Sequence, residues 1–378
     1  MRRASRSASV RLIFGAIRHL LHELVICYEV RHILRMMSHV TSEPSPSIPL
    51  SHRAIGLAVV LLTAVLRLLP VAVSRFLLDM TVPFLVVGSW IREKRVGRGM
   101  NRNLHIAFRD QLTPGMAMRL RWAWARHMTW LFIDFVHMPR IQKENLSRFV
   151  DCEDWDRVRA EYERSKGLIC VTGHIGVPEL LGHVASLLGV VVNGIFRPPG
   201  ITPVGDYLTG VRSSGGQRVL SKWNVIWLLK KALDRGEGIG LTGDENTAKN
   251  PVFVPFLGTS AATNPIPAVL HRATGAPVAV MTVHRRGRLE YRLHVWDVIH
   301  IAKTDDRDAD IEAILLRINA ALSRAIRSSP AQWFWGMRRF HTRPPDEVLG
   351  KDGLPPAAHS QGGAPTPEVR GAPMELTT

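Results

Sequence analysis

Hydrophobic and polar positions between residues 167 and 328 follow two alternating patterns. Short apolar runs bounded by Gly or polar residues are typical of strands, and longer segments with apolar residues three and four positions apart are typical of helices. The first pattern predicts strands at 167–171, 190–195, 217–220, 237–242, 277–284 and 289–296. The second predicts helices at 178–188, 203–213, 223–235, 265–274 and 307–328. Strands that alternate with helices indicate an α/β fold with a mainly parallel sheet flanked by helices.

Two details of this pattern concern the end of the sheet. The last two strands are separated by Arg285-Arg286-Gly287-Arg288 and are predicted to form a hairpin at a sheet edge. Residues 243–263, between the fourth strand and the helix at 265–274, are predicted to be a loop.

An apolar segment precedes the alternating region. Residues 54–66 carry no charge, but these 13 residues are fewer than the roughly 20 needed to cross a bilayer. Arg67 follows, and apolar character then continues to Val87 with breaks at Arg75 and Asp79. One spanning helix and a pair of helices in the membrane interface both fit this pattern, with a buried core helix as the alternative. The sequence therefore predicts a membrane-associated helical segment over residues 54–91.

The remaining composition divides the chain further. Residues 1–53 are predicted to be an N-terminal extension and linker, because charges interrupt the helical spacing at 12–37 and Ser and Pro dominate 42–49. Residues 92–345 are predicted to form the main domain. The tail at 346–378 is rich in Pro, Gly and Ala, so it is predicted to be disordered.

The net positive charge of the chain indicates which kinds of partner it can bind. Lys and Arg number 49 against 32 acidic residues, a net charge of +17, and 40 of the 49 are Arg. Such an excess favours anionic partners. A basic stretch with interleaved Trp and Phe, residues 92–135, directly follows the apolar segment, as expected for contact with anionic lipid; a solvated basic helix is the alternative. No zinc-finger spacing, RNP-like block or zipper heptad accompanies the charge, so no nucleic-acid partner is predicted.

The candidate chemistry lies after the first predicted strand of the alternating region. His174 falls in the turn at its end, Pro178 fits the first position of the next helix, and Glu179 falls in that helix's first turn. A glutamate that accepts a hydrogen bond from one ring nitrogen would hold the imidazole in one tautomer while the other nitrogen takes a proton. Asp244 also follows a strand, so it is expected to share a crevice with His174.

Other kinds of site lack the residues they need. Cys27, Cys152 and Cys170 have no CxxC or similar spacing, so no disulfide framework is implied. No HExxH, GxSxG, GxxxxGK[ST] or clean GxGxxG motif occurs, which argues against a zinc protease, a serine hydrolase, a P-loop NTPase and a Rossmann dehydrogenase. Neither a metal nor another cofactor is predicted.

The ordered blocks of the chain resemble those of one family. The His174-xxxx-Glu179 run, preceded by Val-Thr-Gly, is similar to the HxxxxE catalytic block of the lipid A biosynthesis acyltransferases, the lauroyl/myristoyl transferase family within the lysophospholipid acyltransferase superfamily. Further similar blocks, spanning about residues 60 to 344, are Asn103-Leu104 with Phe108, Ile195-Phe196-Arg197-Pro198, Arg212 to Gly216, Gly243-Asp244-Glu245, Phe253 to Gly258 with Ala261-Ala262-Thr263, and Pro330 to Trp335 with Arg338-Arg339-Phe340 and Thr342-Arg343-Pro344. Two departures stand out: Val177-Pro178 replaces the family's usual Asn-Trp, and Glu245 replaces the usual amide or histidine.

The resemblance implies an O-acyltransferase of lipid A and lipopolysaccharide biosynthesis. His174, oriented by Glu179, would remove the proton of a lipid hydroxyl, which then attacks the thioester of an acyl carrier protein or coenzyme A donor. Backbone N–H groups around Gly173 to Gly176 and Arg197 would stabilise the oxyanion. The implied substrate-binding residues are Arg197, Arg212, Asp244, Glu245, Arg338, Arg339 and Arg343, although a surface ion pair is the alternative for each arginine beyond Arg197.

The implied location is the inner membrane, with the catalytic domain on the cytoplasmic side. The acceptor would be a lipid A precursor or a related lipid. A catalytically diverged membrane protein that binds an anionic lipid in the same cleft is the alternative. Acyl chain length, the donor's identity and the number of membrane spans do not follow from the sequence.

Overall fold

The computed structural model describes residues 49–96, 99–165, 167–196, 199–220, 225–350 and 353–357. Most of the predicted N-terminal extension and tail therefore lies outside the described residues. By their contacts, the described residues divide into two compact units. The smaller comprises residues 49–74 and 199–210, and the larger the described parts of 75–196 and 211–357.

The described helices and strands follow one another along the chain. The helices are α1 Leu50–Leu68, α2 Val71–Asp79, α3 Val82–Val96, α4 Met100–Phe108, α5 Pro114–His137, α6 Leu146–Phe149, α7 Trp155–Ser165, α8 Pro178–Leu187, α9 Thr202–Ser213, α10 Val225–Asp234, α11 Ile266–Thr274 and α12 Arg307–Ser328. The strands are β1 Val150–Asp151, β2 Leu168–Thr172, β3 Val192–Ile195, β4 Arg218–Leu220, β5 Gly238–Thr242, β6 Val252–Phe256, β7 Thr259–Thr263, β8 Val278–Arg285 and β9 Tyr291–Ile299.

A seven-stranded sheet in the order β1-β9-β8-β2-β5-β3-β4 organises the larger unit. β2 pairs in parallel with β5 and β8, and β3 in parallel with β4 and β5, whereas β8 and β9 are antiparallel. Every residue of β2 and β8 is buried, which requires cover on both faces. The predicted α/β fold with a mainly parallel sheet flanked by helices is confirmed, and the predicted strands and helices of residues 167–328 recur with bounds shifted by at most three residues.

Two local predictions are wrong. The β8–β9 hairpin is not at the edge, because the two-residue strand β1 pairs in parallel with β9 at Val150 and Tyr291. The predicted loop at 243–263 contains a second sheet, the antiparallel β6–β7 hairpin. Its turn is Leu257-Gly258, with φ of 51° and 82°, and two consecutive positive φ values match the twist of paired strands. Gly258, at the second position of this turn, is the feature of the sequence from which the hairpin could have been predicted.

The smaller unit contains α1 and the first part of α9. A Cβ on Gly56 would lie 2.5 Å from Pro203 Cβ, so only glycine allows these two helices to approach so closely. Among the described residues, α1 alone has the length and apolar character to cross a membrane, and α2 and α3 meet that criterion only as one bent pair.

Candidate active site

His174 lies in the turn that joins β2 to α8. Pro178 occupies the first turn of α8 after the boundary residue Val177, which confirms the predicted helix start. The turn is tightly packed: a Cβ on Gly173 would lie 2.9 Å from the Asp244 carboxylate, and a Cβ on Gly176 would lie 2.1 Å from the carbonyl oxygen of Val283. The backbone of this turn can therefore adopt its path only with glycine at both positions.

Asp244 is the carboxylate that binds the His174 ring. It follows β5, the neighbour of β2, so the parallel strands bring the two residues to the same edge of the sheet. His174 Nδ1 is 3.0 Å from Asp244 Oδ1, and the backbone N–H of His174 donates to Asp244 Oδ2 at 2.7 Å. Asp244 has no exposed surface, whereas 35% of the His174 side chain is exposed. This arrangement leaves His174 Nε2 as the ring nitrogen that faces outward.

The segment Gln332-Trp333-Phe334, here called the strap, pairs with the turn. Trp333 Nε1 donates to Asp244 Oδ2 at 2.9 Å, and Trp333 is fully buried. The N–H of Phe334 donates to the carbonyl of His174 at 3.0 Å, and the N–H of Gly176 donates to the carbonyl of Gln332 at 2.8 Å. The strap therefore holds both the histidine backbone and its carboxylate partner.

Glu179 binds a different partner from the one predicted. Its two oxygens accept from Arg212 Nε and Nη2 at 2.6 and 2.5 Å, a bidentate ion pair. The guanidinium of Arg212 also lies 3.8 Å from the ring centroid of Phe196. The predicted hydrogen bond from His174 to Glu179 is corrected, because Asp244 occupies Nδ1 and Arg212 occupies the glutamate.

Three acidic groups act on the His174 imidazole. Burial lowers the pKa of His174, but the hydrogen bond and charge of Asp244, with the charges of Glu245 and Glu179, outweigh it and raise the pKa from 6.5 to about 9. Glu245 Oε1 lies 3.6 Å from His174 Nε2. Burial also opposes the charge on Asp244, yet the hydrogen bonds from His174 and Trp333 hold the pKa of Asp244 below its usual value. The three acidic groups therefore favour the protonated form of the His174 ring.

The remaining predicted site residues fall in different places. Arg197 lies outside the described residues. Arg339 has no exposed surface, and its guanidinium donates to the carbonyl of Ala262 and the hydroxyl of Thr263. Arg343 is paired with Glu347 and donates to the carbonyl of Ser260.

Arg338, Arg339 and Arg343 differ in how much of each side chain is exposed. Arg339 joins β7 to the C-terminal segment and has no exposed surface in this structure. Arg338 is exposed and lines a cleft together with Arg92, Arg102 and His341. Arg338 is therefore the most accessible of these three arginines, whereas Arg343 is only partly exposed.

Neither the hydrogen bond from Trp333 to Asp244 nor the bond between His174 Nδ1 and Asp244 was predicted from the sequence. Trp333 donates to a residue 89 positions earlier in the chain, and a contact over that separation leaves no local sequence pattern. Cys170 is fully buried in β2, where burial raises the pKa of its thiol to about 12. Within the described ranges, no three His, Cys, Asp or Glu side chains are grouped so that they could hold a metal ion.

Comparison with known proteins identifies the family. The sequence model described as bacterial lipid A biosynthesis acyltransferase matches residues 43–342. A lipid A biosynthesis palmitoleoyltransferase from Escherichia coli (strain K12) is 26% identical over 223 residues, 58% of this chain and 68% of the relative. A lipid A biosynthesis acyltransferase from Shigella flexneri matches with the same identity and coverage. Because the family model matches well over half of the chain, the chain belongs to the bacterial lipid A biosynthesis acyltransferase family and is an acyltransferase.

Proposed function

We propose that this protein moves a fatty acyl chain from a thioester donor to a hydroxyl of a lipid A precursor or a related glycolipid, with His174 as the general base. The observation that carries the proposal is the His174–Asp244 pair, whose Nε2 faces outward at the end of the parallel strands. Family membership supplies the reaction class and the kind of acceptor.

His174 Nε2 would take the proton of the acceptor hydroxyl as the oxygen attacks the thioester carbonyl carbon. The resulting tetrahedral oxyanion collapses to the new ester, and the departing thiolate takes the proton back from His174. Asp244 holds Nδ1–H and stabilises the imidazolium that forms between these two steps. The step needs no covalent acyl-enzyme.

The oxyanion needs donors that are not already engaged. The backbone N–H groups of His174 and Gly176 donate to Asp244 and Gln332, so two of the predicted donors are occupied. Arg212 keeps its Nη1 buried and without a hydrogen-bond partner among the described residues. We therefore propose that Arg212, which lies beside the site, binds the negative charge of the substrate.

An anionic acceptor is supported by the cleft that Arg338 shares with Arg92, Arg102 and His341. Arg338 and Arg92 are both exposed. Arginine binds phosphate oxygens with two parallel N–H groups, so these exposed arginines could contact a phosphate of the acceptor. Glu245 and Arg343 remain proposed neighbours of the substrate.

We further propose attachment to the inner membrane with the catalytic unit on the cytoplasmic side, where acyl carrier protein and coenzyme A thioesters are available. The apolar helix α1 and the exposed apolar residues of α2 and α3 support the attachment.

The test is mass spectrometry of a phosphorylated lipid A precursor after incubation with the purified chain and either acyl carrier protein or coenzyme A thioesters. The wild type should add the mass of one acyl chain, and His174→Ala should add none. Asp244→Asn should slow transfer by about 10²- to 10⁴-fold, because it removes the group that fixes the tautomer. Glu179→Gln should slow it less. A folded wild type that transfers from neither donor would contradict the proposal.

A further inference from the structure

We propose that Trp333 is a positioning residue for acyl transfer: its indole N–H binds Asp244 Oδ2, aligns the carboxylate on His174 and limits how strongly it binds the imidazolium proton. The inference rests on the proposed role of His174 as the base. It assigns a function to the strap that joins the end of the chain to the turn after β2.

Among the described residues, the hydrogen bonds to the Asp244 carboxylate come from three N–H groups. The backbone N–H of His174 and Trp333 Nε1 share Oδ2, at 2.7 and 2.9 Å, and His174 Nδ1 lies at Oδ1, at 3.0 Å. Because Asp244 has no exposed surface, water cannot replace a lost donor without a rearrangement. Trp333 therefore supplies the one bond to this carboxylate that does not come from the histidine itself.

Trp333 cannot move independently of the turn. Gln332 on one side accepts from Gly176, and its side-chain amide both donates to the carbonyl and accepts from the N–H of Arg285, each at 3.0 Å. Phe334 on the other side donates to His174. The indole ring packs against Trp335, with centroids 4.6 Å apart, and against Phe256 at 5.9 Å. The two backbone hydrogen bonds, from Gly176 to Gln332 and from Phe334 to His174, place the indole N–H at Asp244.

The hydrogen bond has a predictable effect on the base. A donor at Oδ2 withdraws charge from the carboxylate and so weakens its hold on the imidazolium at Oδ1. Without this donor, the Asp244 carboxylate should hold the proton of His174 more strongly. The other charged groups that act on His174, Glu245 and Glu179, and the cation that interacts with Asp244, Arg339, are unchanged by a substitution of Trp333.

The test compares Trp333→Phe with Trp335→Phe in the full chain. Both substitutions remove an indole from the same segment, but Trp335 Nε1 donates to the carbonyl of Pro330 and not to Asp244. The pKa of His174 is measured by NMR titration of its ring C–H signals, assigned by comparison with His174→Ala, and the rate of acyl transfer is measured over the same pH range.

In Trp333→Phe the pKa of His174 should rise by up to about one unit, the size expected from one lost hydrogen bond. Transfer at pH 7 should then fall by up to about tenfold and recover as the pH is raised. Trp335→Phe should leave the pKa of His174 and the low-pH limb of the rate profile in place, whatever it does to stability.

An unchanged pKa of His174 in Trp333→Phe, or an equal shift in Trp335→Phe, overturns the proposal. If Trp333→Phe does not fold, site-specific 3-benzothienylalanine at position 333 keeps the bicyclic ring and replaces only the N–H with sulfur, and the same two outcomes apply. The NMR readout does not depend on turnover. An inactive wild type would therefore refute the proposed function while the link from Trp333 to His174 is still decided.

Discussion

Two carboxylates close to His174 are bound to different groups, and this difference determines which one can orient the ring. The spacing of His174 and Glu179 across a strand end and a helix start predicted that pair as base and orienter. In the structure, the guanidinium of Arg212 takes both oxygens of Glu179, and Asp244 takes His174 Nδ1. Glu179 acts on the imidazole through its charge alone.

Glu245 lies beside the His174 ring and is expected to affect the pH dependence of acyl transfer. Its charge raises the pKa of His174, which stands at about 9 in the structure. A general base must be unprotonated, so activity should increase as the pH rises through this pKa. Glu245→Gln removes the charge and should lower the pKa of His174, moving the low-pH limb of kcat/KM to lower pH.

At pH 7, Glu245→Gln should therefore be faster than the wild type, by about two- to tenfold for a shift of up to about one unit. The measurement is kcat/KM for acyl transfer across the pH range. Glu163→Gln, an exposed glutamate on α7, is the matched control and should leave the profile in place. A low-pH limb that moves upward, or not at all, in Glu245→Gln contradicts the assignment of His174 as the base.

At the scale of the elements, the turn after β2 is held by backbone pairing on two sides. The strap pairs antiparallel at Ile175 and Trp333, and β8 pairs in parallel at Gly176 and Val283. The N–H of Val177 also donates to the carbonyl of Val283 at 2.7 Å. His174, the proposed base, therefore lies on a loop that pairs through its backbone with two distant parts of the chain.

Gly176 is required by this double support. Its φ is +65°, and a Cβ would lie 2.1 Å from the Val283 carbonyl oxygen. Gly176→Ala should lower the free energy of unfolding by about 2 kcal/mol or more, because it adds a backbone clash to the cost of a left-handed alanine. Gly189→Ala is the control, since Gly189 has a φ of +98° and open space around its Cβ position.

Denaturant unfolding of the two variants separates the cost of the positive φ from the cost of the clash with Val283. Gly189→Ala should cost about 1 kcal/mol, the conformational penalty alone. Equal midpoints for the two variants would show that the β2–α8 turn can relax away from β8, and the close approach at Val283 would then not be a constraint on the site.

At the scale of the whole molecule, apolar side chains stay on the surface of the helices that precede the sheet. Phe76, Met80 and Phe84 are 65%, 62% and 77% exposed, and Trp90 is 46% exposed with Lys94 over its ring. Large exposed apolar groups next to lysine and arginine are typical of surfaces that contact anionic membranes. This observation supports the proposed membrane attachment independently of α1.

The double variant Phe84→Ser with Trp90→Ser should therefore partition less into vesicles that contain anionic phospholipid. Loss of two large apolar contacts should weaken binding at least about tenfold. Cosedimentation with vesicles measures it, and Trp227→Ser, which removes a 58% exposed tryptophan from α10, serves as control. Equal partitioning of all three proteins would assign the attachment to other parts of the chain.

The outcome of the sequence predictions depends on how local each feature is. The strand at Leu168–Thr172 and the helix that starts at Pro178 were predicted within a few residues, because an apolar run and a proline at a helix start act on their own neighbourhood. The β6–β7 hairpin was missed because Leu257, a non-glycine residue, takes the first of its two positive φ positions. Arg212 was predicted to bind substrate, but its ion pair with Glu179 was not predicted.

The amino-acid sequence by itself determined the α/β class, the family and the position of His174 in the turn after β2, because periodicity, ordered blocks and a single turn each depend on residues that are close together in the chain. Only the tertiary structure decided that Asp244, and not Glu179, binds the His174 ring. It also decided that Trp333 donates a hydrogen bond to Asp244 and that Arg339 is buried. Each of these contacts joins residues 70 or more positions apart. Their distances depend on which strands lie side by side in the sheet and where the C-terminal segment returns to it.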